Sequence, residues 1–250
     1  MEFRRRLYQV LQRLAFNVDI TGPNQDWAPY PVLVVPMLPI ADDTLAGKLL
    51  RYVEAGGTLV WHPFSGMKDA DARIYPARLH PALAELAGAA LQEFASLGGD
   101  ETAAFDWDGR TWQAGHFCDL ASPAAGAEVA GRYAAGRWFA GAPAVIRNPR
   151  GRGACWYVTT FAENAFYEAF LERRLAEAGV RPILPGPIPE HVEVCERRTD
   201  DGRRLVFVIN HGPAARRLET PAPMRDLYHG EAPAQEFMLA PHGVRVLSDP

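Results

Sequence analysis

Apolar residues recur at helical spacing in four stretches of the chain. Near the start, Leu7, Val10, Leu11 and Leu14 lie three or four positions apart, which predicts a helix with one apolar face. The second stretch begins at Asp42, where the helix macrodipole favours negative charge, and a glycine pair follows it. The later stretches predict helices over Asp42–Ala55, His80–Gly88 and Asn164–Ala178.

Short apolar runs between these helices predict strands. Val32–Val35 is uninterrupted and bounded by prolines, which is typical of a parallel strand covered by helices on both faces. Thr58–Trp61 follows the glycine pair, and a shorter run, Val18–Ile20, follows the first helix. Helices and strands therefore alternate, and this order predicts a doubly wound α/β domain.

Turn residues predict antiparallel pairs farther along. Phe105–Trp112 contains an Asp-Gly turn, and Gly151–Gly153 separates two apolar runs, so we expect two hairpins. A single strand is expected at Glu128–Tyr133. The runs joined by the glycine turn are Pro143–Asn148 and Ala154–Val158.

The proline-rich segment Pro182–Pro189 predicts a linker, because the hydrophobic period changes to two after it. Strands are expected over His191–Arg197, Arg204–Asn210 and Gly243–Leu247. The sequence thus predicts two domains, an α/β domain at residues 1–184 and a small antiparallel β domain at residues 185–250.

Composition restricts the classes of function. A net charge of -4 disfavours an extended nucleic-acid surface, because phosphate binding needs clustered basic side chains. No apolar run reaches the roughly 18 residues of a membrane helix and no signal peptide is recognisable, so we expect a cytoplasmic protein without a membrane partner. Cys118, Cys155 and Cys195 are far apart and predict buried thiols, and we expect neither a metal nor a cofactor.

The order of several short motifs is more specific than any one of them. The run Tyr52–Val60 reads Tyr-Val-x-x-Gly-Gly-Thr-Leu-Val and leads into the polar loop Ser65–Asp69. Val18-Asp19 and Tyr30–Pro36 precede it, and Ala140–Val145, Gly151–Val158, Phe207–His211 and Leu239–Val244 follow it. This series resembles the family 42 glycoside hydrolases, the bacterial β-galactosidases, over their trimerisation domain and C-terminal β domain.

The resemblance implies a flavodoxin-like or class I glutamine amidotransferase-like α/β domain, then a small antiparallel β domain, in a homotrimer that acts in carbohydrate metabolism. The family's catalytic glutamates lie on a barrel that nothing in these residues resembles, so we expect no catalytic residue here and a barrel elsewhere. Family members also carry a strand before the first helix, and its absence would leave a central gap in the sheet. We expect a truncated chain, or alternatively another segment that fills the gap.

Independent chemistry receives little support from the sequence. A glycosidase needs two carboxyls roughly 5 to 10 Å apart, whereas Asp69 with Asp71 and Asp106 with Asp108 are neighbours in turns. Amidotransferases place a nucleophilic cysteine after the strand that corresponds to Thr58–Val60, and this chain has no cysteine there.

Lone histidines and one glycine turn are also expected to be structural. His62 and His116 have no second ligand at a suitable spacing. The turn Gly151–Gly153 lacks the lysine and the following helix of a phosphate loop.

Aromatic residues indicate sugar contacts, because a ring can stack on the C–H face of a pyranose. Most tryptophans are flanked by strand-forming residues and are expected in the core, but Trp61 and Phe64 border the loop that in the family lies towards a neighbouring subunit's barrel. From this resemblance we expect an interface, or the outer wall of a neighbour's sugar pocket with a galactoside as its ligand. The candidate residues are Trp61, Phe64, Ser65, Met67, Lys68, Asp69 and Arg73.

The leading hypothesis is therefore a non-catalytic assembly and C-terminal region of a β-galactosidase-like protein. A stand-alone carbohydrate-binding or regulatory module is the second hypothesis, and an independent hydrolase is the third. Sugar specificity and the extent of the natural gene stay open at this stage.

Overall fold

Two sheets organise the chain, each within its own unit of contacts. The computed structural model describes residues 2–230 and 232–249. One unit comprises Met1–Arg4 and Gly22–Gly179, and the other comprises Arg5–Thr21 and Val180–Pro250. The first helix, α1 (Glu2–Arg13), contributes residues to both units.

The first unit contains eleven elements after β1 (Val32–Val35) in chain order. They are α2 (Asp43–Glu54), β2 (Thr58–Trp61), α3 (Pro81–Ala87), β3 (Ala89–Ser96), β4 (Thr102–Trp107), β5 (Arg110–Pro123), β6 (Glu128–Tyr133), β7 (Pro143–Arg150), β8 (Gly153–Val158), β9 (Thr160–Ala162) and α4 (Asn164–Glu177).

The sheet of this unit has a short parallel part. Its order is β1-β2-β8-β7-β6-β4-β5-β3, and β9 pairs with β5. β1, β2 and β8 run parallel, with Val35 opposite Trp61 and Trp61 opposite Tyr157, while the pairs from β8 onward are antiparallel. The carboxyl ends of the three parallel strands therefore meet at one edge, which is where α/β proteins place their functional loops.

Local signals explain why the helices form where the sequence predicts them. The side chain of Asp42 caps α2 by accepting a hydrogen bond of 2.8 Å from the backbone N–H of Leu45. Leu49 and Val53 of this helix are fully buried in the core of the unit. Gly88 has a φ of 65° and ends α3, because a left-handed residue cannot continue a helix.

The turns confirm the predicted hairpins. Asp108 and Gly109 both have positive φ, of 54° and 71°, which is the conformation of a two-residue turn between β4 and β5. At Gly151, between β7 and β8, an added Cβ would lie 2.6 Å from the carbonyl oxygen of Glu54, so only glycine fits. Such hairpins make most of the sheet antiparallel.

The doubly wound order is not confirmed, because only β1, β2 and β8 run parallel, and the first unit is a mixed α/β domain. Val18–Ile20 is also not a strand, since it belongs to no described ladder and the Ile20 side chain is 86% exposed. The central gap does not appear among the described strands, because the path from β1 to β3 is continuous and β1 is an end strand. The strands β3 and β9 were not predicted.

The second unit is the predicted antiparallel β sheet. Its core joins Ile183, Leu184 and Ile188 to apolar side chains of the strands, so Pro182–Pro189 is a packed segment and its prediction as a linker is wrong. Cys195 is also only partly buried, unlike Cys118 and Cys155. The strands, in the order β10-β11-β14-β12-β13, are β10 (Val192–Arg198), β11 (Arg204–Asn210), β12 (Arg216–Asp226), β13 (Ala234–Leu239) and β14 (Val244–Ser248).

Candidate interface in the loop after the second strand

The loop at residues 62–80 lies at the carboxyl edge of the parallel strands. It is fixed to the segment that follows β1, because Ser65 Oγ accepts a hydrogen bond of 3.1 Å from the Leu38 N–H. The N–H of Gly66 donates in turn to the carbonyl of Leu38 at 2.7 Å. Two loops that are distant in sequence thus form one surface.

A miniature sheet extends this connection, with Lys68 at its centre. The Lys68 N–H donates to Pro39 O at 2.8 Å, and its carbonyl accepts from the Ala41 N–H at 2.9 Å. On the other side, Asp69 N donates to Arg73 O at 2.9 Å. Lys68 is therefore bridged in parallel to Ile40 and in antiparallel to Ile74.

Bridged residues project from the same face of a sheet, so these three side chains lie in a row. Ile40 is 45% exposed and Ile74 is 61% exposed, with the partly buried Lys68 between them. We call Ile40, Lys68 and Ile74 the Ile-Lys-Ile row.

Asp69 closes the tight turn that carries Ile74. Its Oδ1 accepts hydrogen bonds of 2.9 Å from the N–H groups of both Asp71 and Arg73. Arg73 also forms a 2.9 Å ion pair with Asp71, but both side chains are largely exposed, so we expect it to contribute less than about 1 kcal/mol. The structural role of Asp69 is thus to accept hydrogen bonds from these two backbone N–H groups with its side chain.

Tyr75 and His80 fix the far end of the loop. The Tyr75 hydroxyl donates to Ala41 O at 2.8 Å, and partial burial, with the carboxylates of Asp69 and Asp43 nearby, raises the pKa of Tyr75. His80 Nδ1 accepts from the Ala82 N–H, so Nε2 carries the hydrogen and donates to Asp43 at 3.1 Å. Tyr75 and His80 therefore make their hydrogen bonds to the loop itself and to the elements beside it.

Phe64 joins a line of phenylalanine rings beside this loop. Its ring centroid lies 4.3 Å from that of Phe117, which stacks in turn on the half-exposed Phe94 at 5.1 Å. Phe64 has a φ of 59°, which is rare for a bulky residue and costs about 1 to 3 kcal/mol. His116, next to Phe117, has a φ of 62° at an irregularity of β5.

His62 opens the loop as a structural residue, as expected. Its Nδ1–H donates to the carbonyl of Val35 at 3.0 Å, since a carbonyl only accepts. Burial lowers the pKa of His62 to about 4, although this hydrogen bond favours the charged form. The rings of Phe3 and Tyr167 lie 5.2 and 5.5 Å away, and the imidazole is therefore neutral at pH 7.

The structure places the predicted site residues at different depths. Trp61 is 2% exposed and belongs to the core, so its ring is not at the surface, and Ser65 is buried by its bond to Leu38. Trp138 is 74% exposed, unlike the core position that the sequence predicts for most tryptophans. Phe64, Met67, Lys68 and Asp69 are partly buried, and Arg73 is exposed.

Sequence reasoning missed Ile40 and Ile74 as surface residues. Each stands alone among polar, small or proline residues, without the alternation that identifies a strand. The one available signal is a β-branched apolar residue inside a loop segment, which is too common to select a site.

Comparisons with known proteins agree with this architecture. The family model for the β-galactosidase trimerisation domain matches residues 4–181, and the model for the β-galactosidase C-terminal domain matches residues 191–249. Beta-galactosidase BgaA of Planococcus sp. (strain 'SOS Orange') is 30% identical over 97% of this chain. Beta-galactosidase BgaP of Planococcus sp. (strain L4) is 31% identical over 82% of it.

Solved structures give the same result. The chain superposes on the β-galactosidase of Bacillus circulans sp. alkalophilus with a TM-score of 0.90 and 25% identity, covering 100% of this chain and 37% of the other. The chain likewise spans 36% of the length of the BgaA relative. The similarity thus concerns about a third of these proteins.

Proposed function

This chain belongs to the family 42 β-galactosidases, with the trimerisation and C-terminal domains of that family, and from this membership we propose that it acts as a non-catalytic assembly region. The observation that carries the proposal is the match of the trimerisation model to residues 4–181, which include the whole mixed sheet and the loop at its carboxyl edge. The partner is a second copy of the chain, and the assembly is a trimer.

A finer arrangement follows from the same proposal. A flavodoxin-like or glutamine amidotransferase-like sheet would be completed by the strand that family members carry before their first helix. The outer edge of β1 is the place for such a strand, because β1 is paired only with β2 among the described strands. We also keep residues 1–184 and 185–250 as the proposed domains.

The loop is proposed to serve either as a subunit interface or as the outer wall of a neighbour's sugar pocket. Five of the candidate side chains are at least partly exposed and could contact a neighbour directly: Phe64, Met67, Lys68, Asp69 and Arg73. Trp61 and Ser65 are buried and would act only indirectly. Trp61 packs in the core of the unit, and Ser65 holds the loop through its hydrogen bond to Leu38. A barrel carrying the catalytic acids would complete a galactoside-processing protein, which we place in the cytoplasm.

The environments of the candidate carboxyls support a non-catalytic role. Asp106 accepts a bond of 2.6 Å from the Thr111 hydroxyl, and Asp108 pairs with Arg173 at 2.6 Å. Burial raises the pKa of Asp119 to about 7, as a glycosidase acid would need, but this carboxyl is buried in the sheet beside Tyr157. A sugar could not reach it without opening the core.

Light scattering and a chromogenic galactoside together test the proposal. We expect the purified chain to have a mass above its monomer value of 27.6 kDa and to show no turnover, with a barrel-containing β-galactosidase as the positive control. A monomer that binds galactosides would favour the stand-alone module. Turnover by the isolated chain would favour the independent hydrolase.

A further inference from the structure

We propose that the Ile-Lys-Ile row is the contact surface for a second copy of this chain, which covers Ile40 and Ile74 and places a carboxylate against the Lys68 ammonium. The inference rests on the proposed assembly function and selects, from the two roles left open for the loop, contact with polypeptide. Ile40 and Ile74 become interface residues, although neither was a sequence candidate.

The row is a rigid apolar surface. Lys68 uses both backbone groups, towards Pro39 and Ala41, and Met67 O accepts from Tyr75 N at 2.9 Å beside it. Because the backbone is paired, association would not have to order the loop, which lowers the cost of binding. The two isoleucines gain burial when a partner covers them.

The chemistry of the row favours polypeptide over sugar. A sugar site combines an aromatic face with converging polar groups, whereas this row is aliphatic on either side of one lysine. The neighbouring polar groups are engaged, since Asp69 holds its own turn and the Tyr75 hydroxyl donates to Ala41. What is left for a partner is apolar surface and one positive charge.

Lysine usage makes Lys68 distinctive. The chain has only two lysines, Lys48 and Lys68, among 26 basic residues. The Lys48 ammonium donates to Pro23 O at 2.6 Å and lies 3.9 Å from the centre of the Trp27 ring. Within the described part of the chain, the Lys68 ammonium has no hydrogen-bond or ion-pair partner. A second copy offers a net charge of -4, and therefore carboxylates to pair with it.

The row also lies within the region that matches the trimerisation model, which selects a copy of this chain as the occupant. A trimer is closed by a heterologous contact, so the row of one copy would meet a different surface of the next.

Sedimentation of the full chain and its variants tests the inference. We expect Ile40→Ser and Ile74→Ser each to weaken self-association at least tenfold while circular dichroism is unchanged. Trp138→Ser is the matched control, because it removes a larger exposed apolar side chain outside the row and should leave association unchanged. Equal effects of the control and the row variants would overturn the inference.

Acetylation of the wild-type chain gives a second readout that needs no variant. The Lys68 amine should react at least several-fold more slowly at high protein concentration than after dilution, whereas Lys48 serves as the internal reference with a constant rate. If the wild-type chain associates but Lys68 reacts at one rate throughout, the inference fails while the assembly function stands. A chain that stays monomeric at every concentration contradicts both, and slower Lys68 acetylation caused by galactose in a monomer would assign the row to sugar.

Discussion

Ser65 Oγ accepts a hydrogen bond from the Leu38 N–H at 3.1 Å, although the two residues are 27 positions apart. The bond joins the loop after β2 to the segment after β1, next to the miniature sheet that carries Lys68. The candidate interface therefore depends on a buried hydroxyl that contributes no surface of its own.

Replacement of this hydroxyl should weaken the whole loop. Ser65→Ala leaves the Leu38 amide without its acceptor, so we expect the free energy of unfolding to fall by about 1 to 2 kcal/mol. Ser122→Ala removes an exposed hydroxyl from the same sheet and should change it by less than about 0.5 kcal/mol. Urea unfolding measures both, and equal stability of the two variants would contradict the role of Ser65.

Asp69 should control the local opening of its turn. In Asp69→Ala we expect the amides of Asp71 and Arg73 to exchange hydrogen at least about ten times faster, because a bond to a charged acceptor contributes about 1.5 to 3 kcal/mol. Asp69→Asn keeps an acceptor oxygen, so its amide exchange rates should lie between those of wild type and Asp69→Ala. The Leu45 amide, bonded to the Asp42 side chain, is the internal reference. Unchanged exchange at residues 71 and 73 would show that the carboxylate does not hold the turn.

Asp119 should make stability fall as pH rises. Its pKa increases from 3.8 to about 7 through burial, while the Tyr157 hydroxyl, 2.5 Å away, acts in the opposite direction. The folded chain then keeps a proton that the unfolded chain releases, so this stabilisation is complete below pH 3.8 and is lost as pH rises towards 7. The slope is at most about 1.4 kcal/mol per pH unit.

The variant Asp119→Asn isolates this contribution from the other carboxyls. It keeps the size of the side chain and an acceptor for Tyr157, and we expect its stability relative to wild type to increase between pH 4 and 7. Urea midpoints across this range provide the measurement. A constant difference between the two proteins would mean that Asp119 is ionised in the fold throughout.

His62 should show the opposite dependence. Burial lowers its pKa from 6.5 to about 4, so its contribution to stability is complete above pH 6.5 and is lost as pH falls towards 4. In NMR spectra we expect the imidazole signals of His62 to stay constant between pH 5.5 and 8. A His62 midpoint near 6.5 would contradict its burial.

Most elements of the fold could be predicted because their signals are local. The spacing of Leu49 and Val53, or the turn at Asp108-Gly109, is written in a few neighbouring residues. The strand β3 was missed because Ala89–Ser96 is mostly exposed and contains no β-branched residue. The parallel extent of the sheet depends on how distant hairpins pair, which no local pattern records.

The predicted site residues stay a prediction, but the structure shows which of them reach the surface. Lys68 and Asp69 were selected as surface residues, yet their neighbours Ile40 and Ile74 come from separate segments joined by two bridges. Trp61 was misplaced because a residue at the end of a strand can face either the loop or the core. Only the packing of the unit decides between these directions.

Sedimentation equilibrium of the wild-type chain tests the central claim most directly. The account predicts a concentration-dependent mass that rises towards three times the monomer value of 27.6 kDa. A mass that stays at 27.6 kDa over the whole accessible concentration range would contradict an assembly function for this chain.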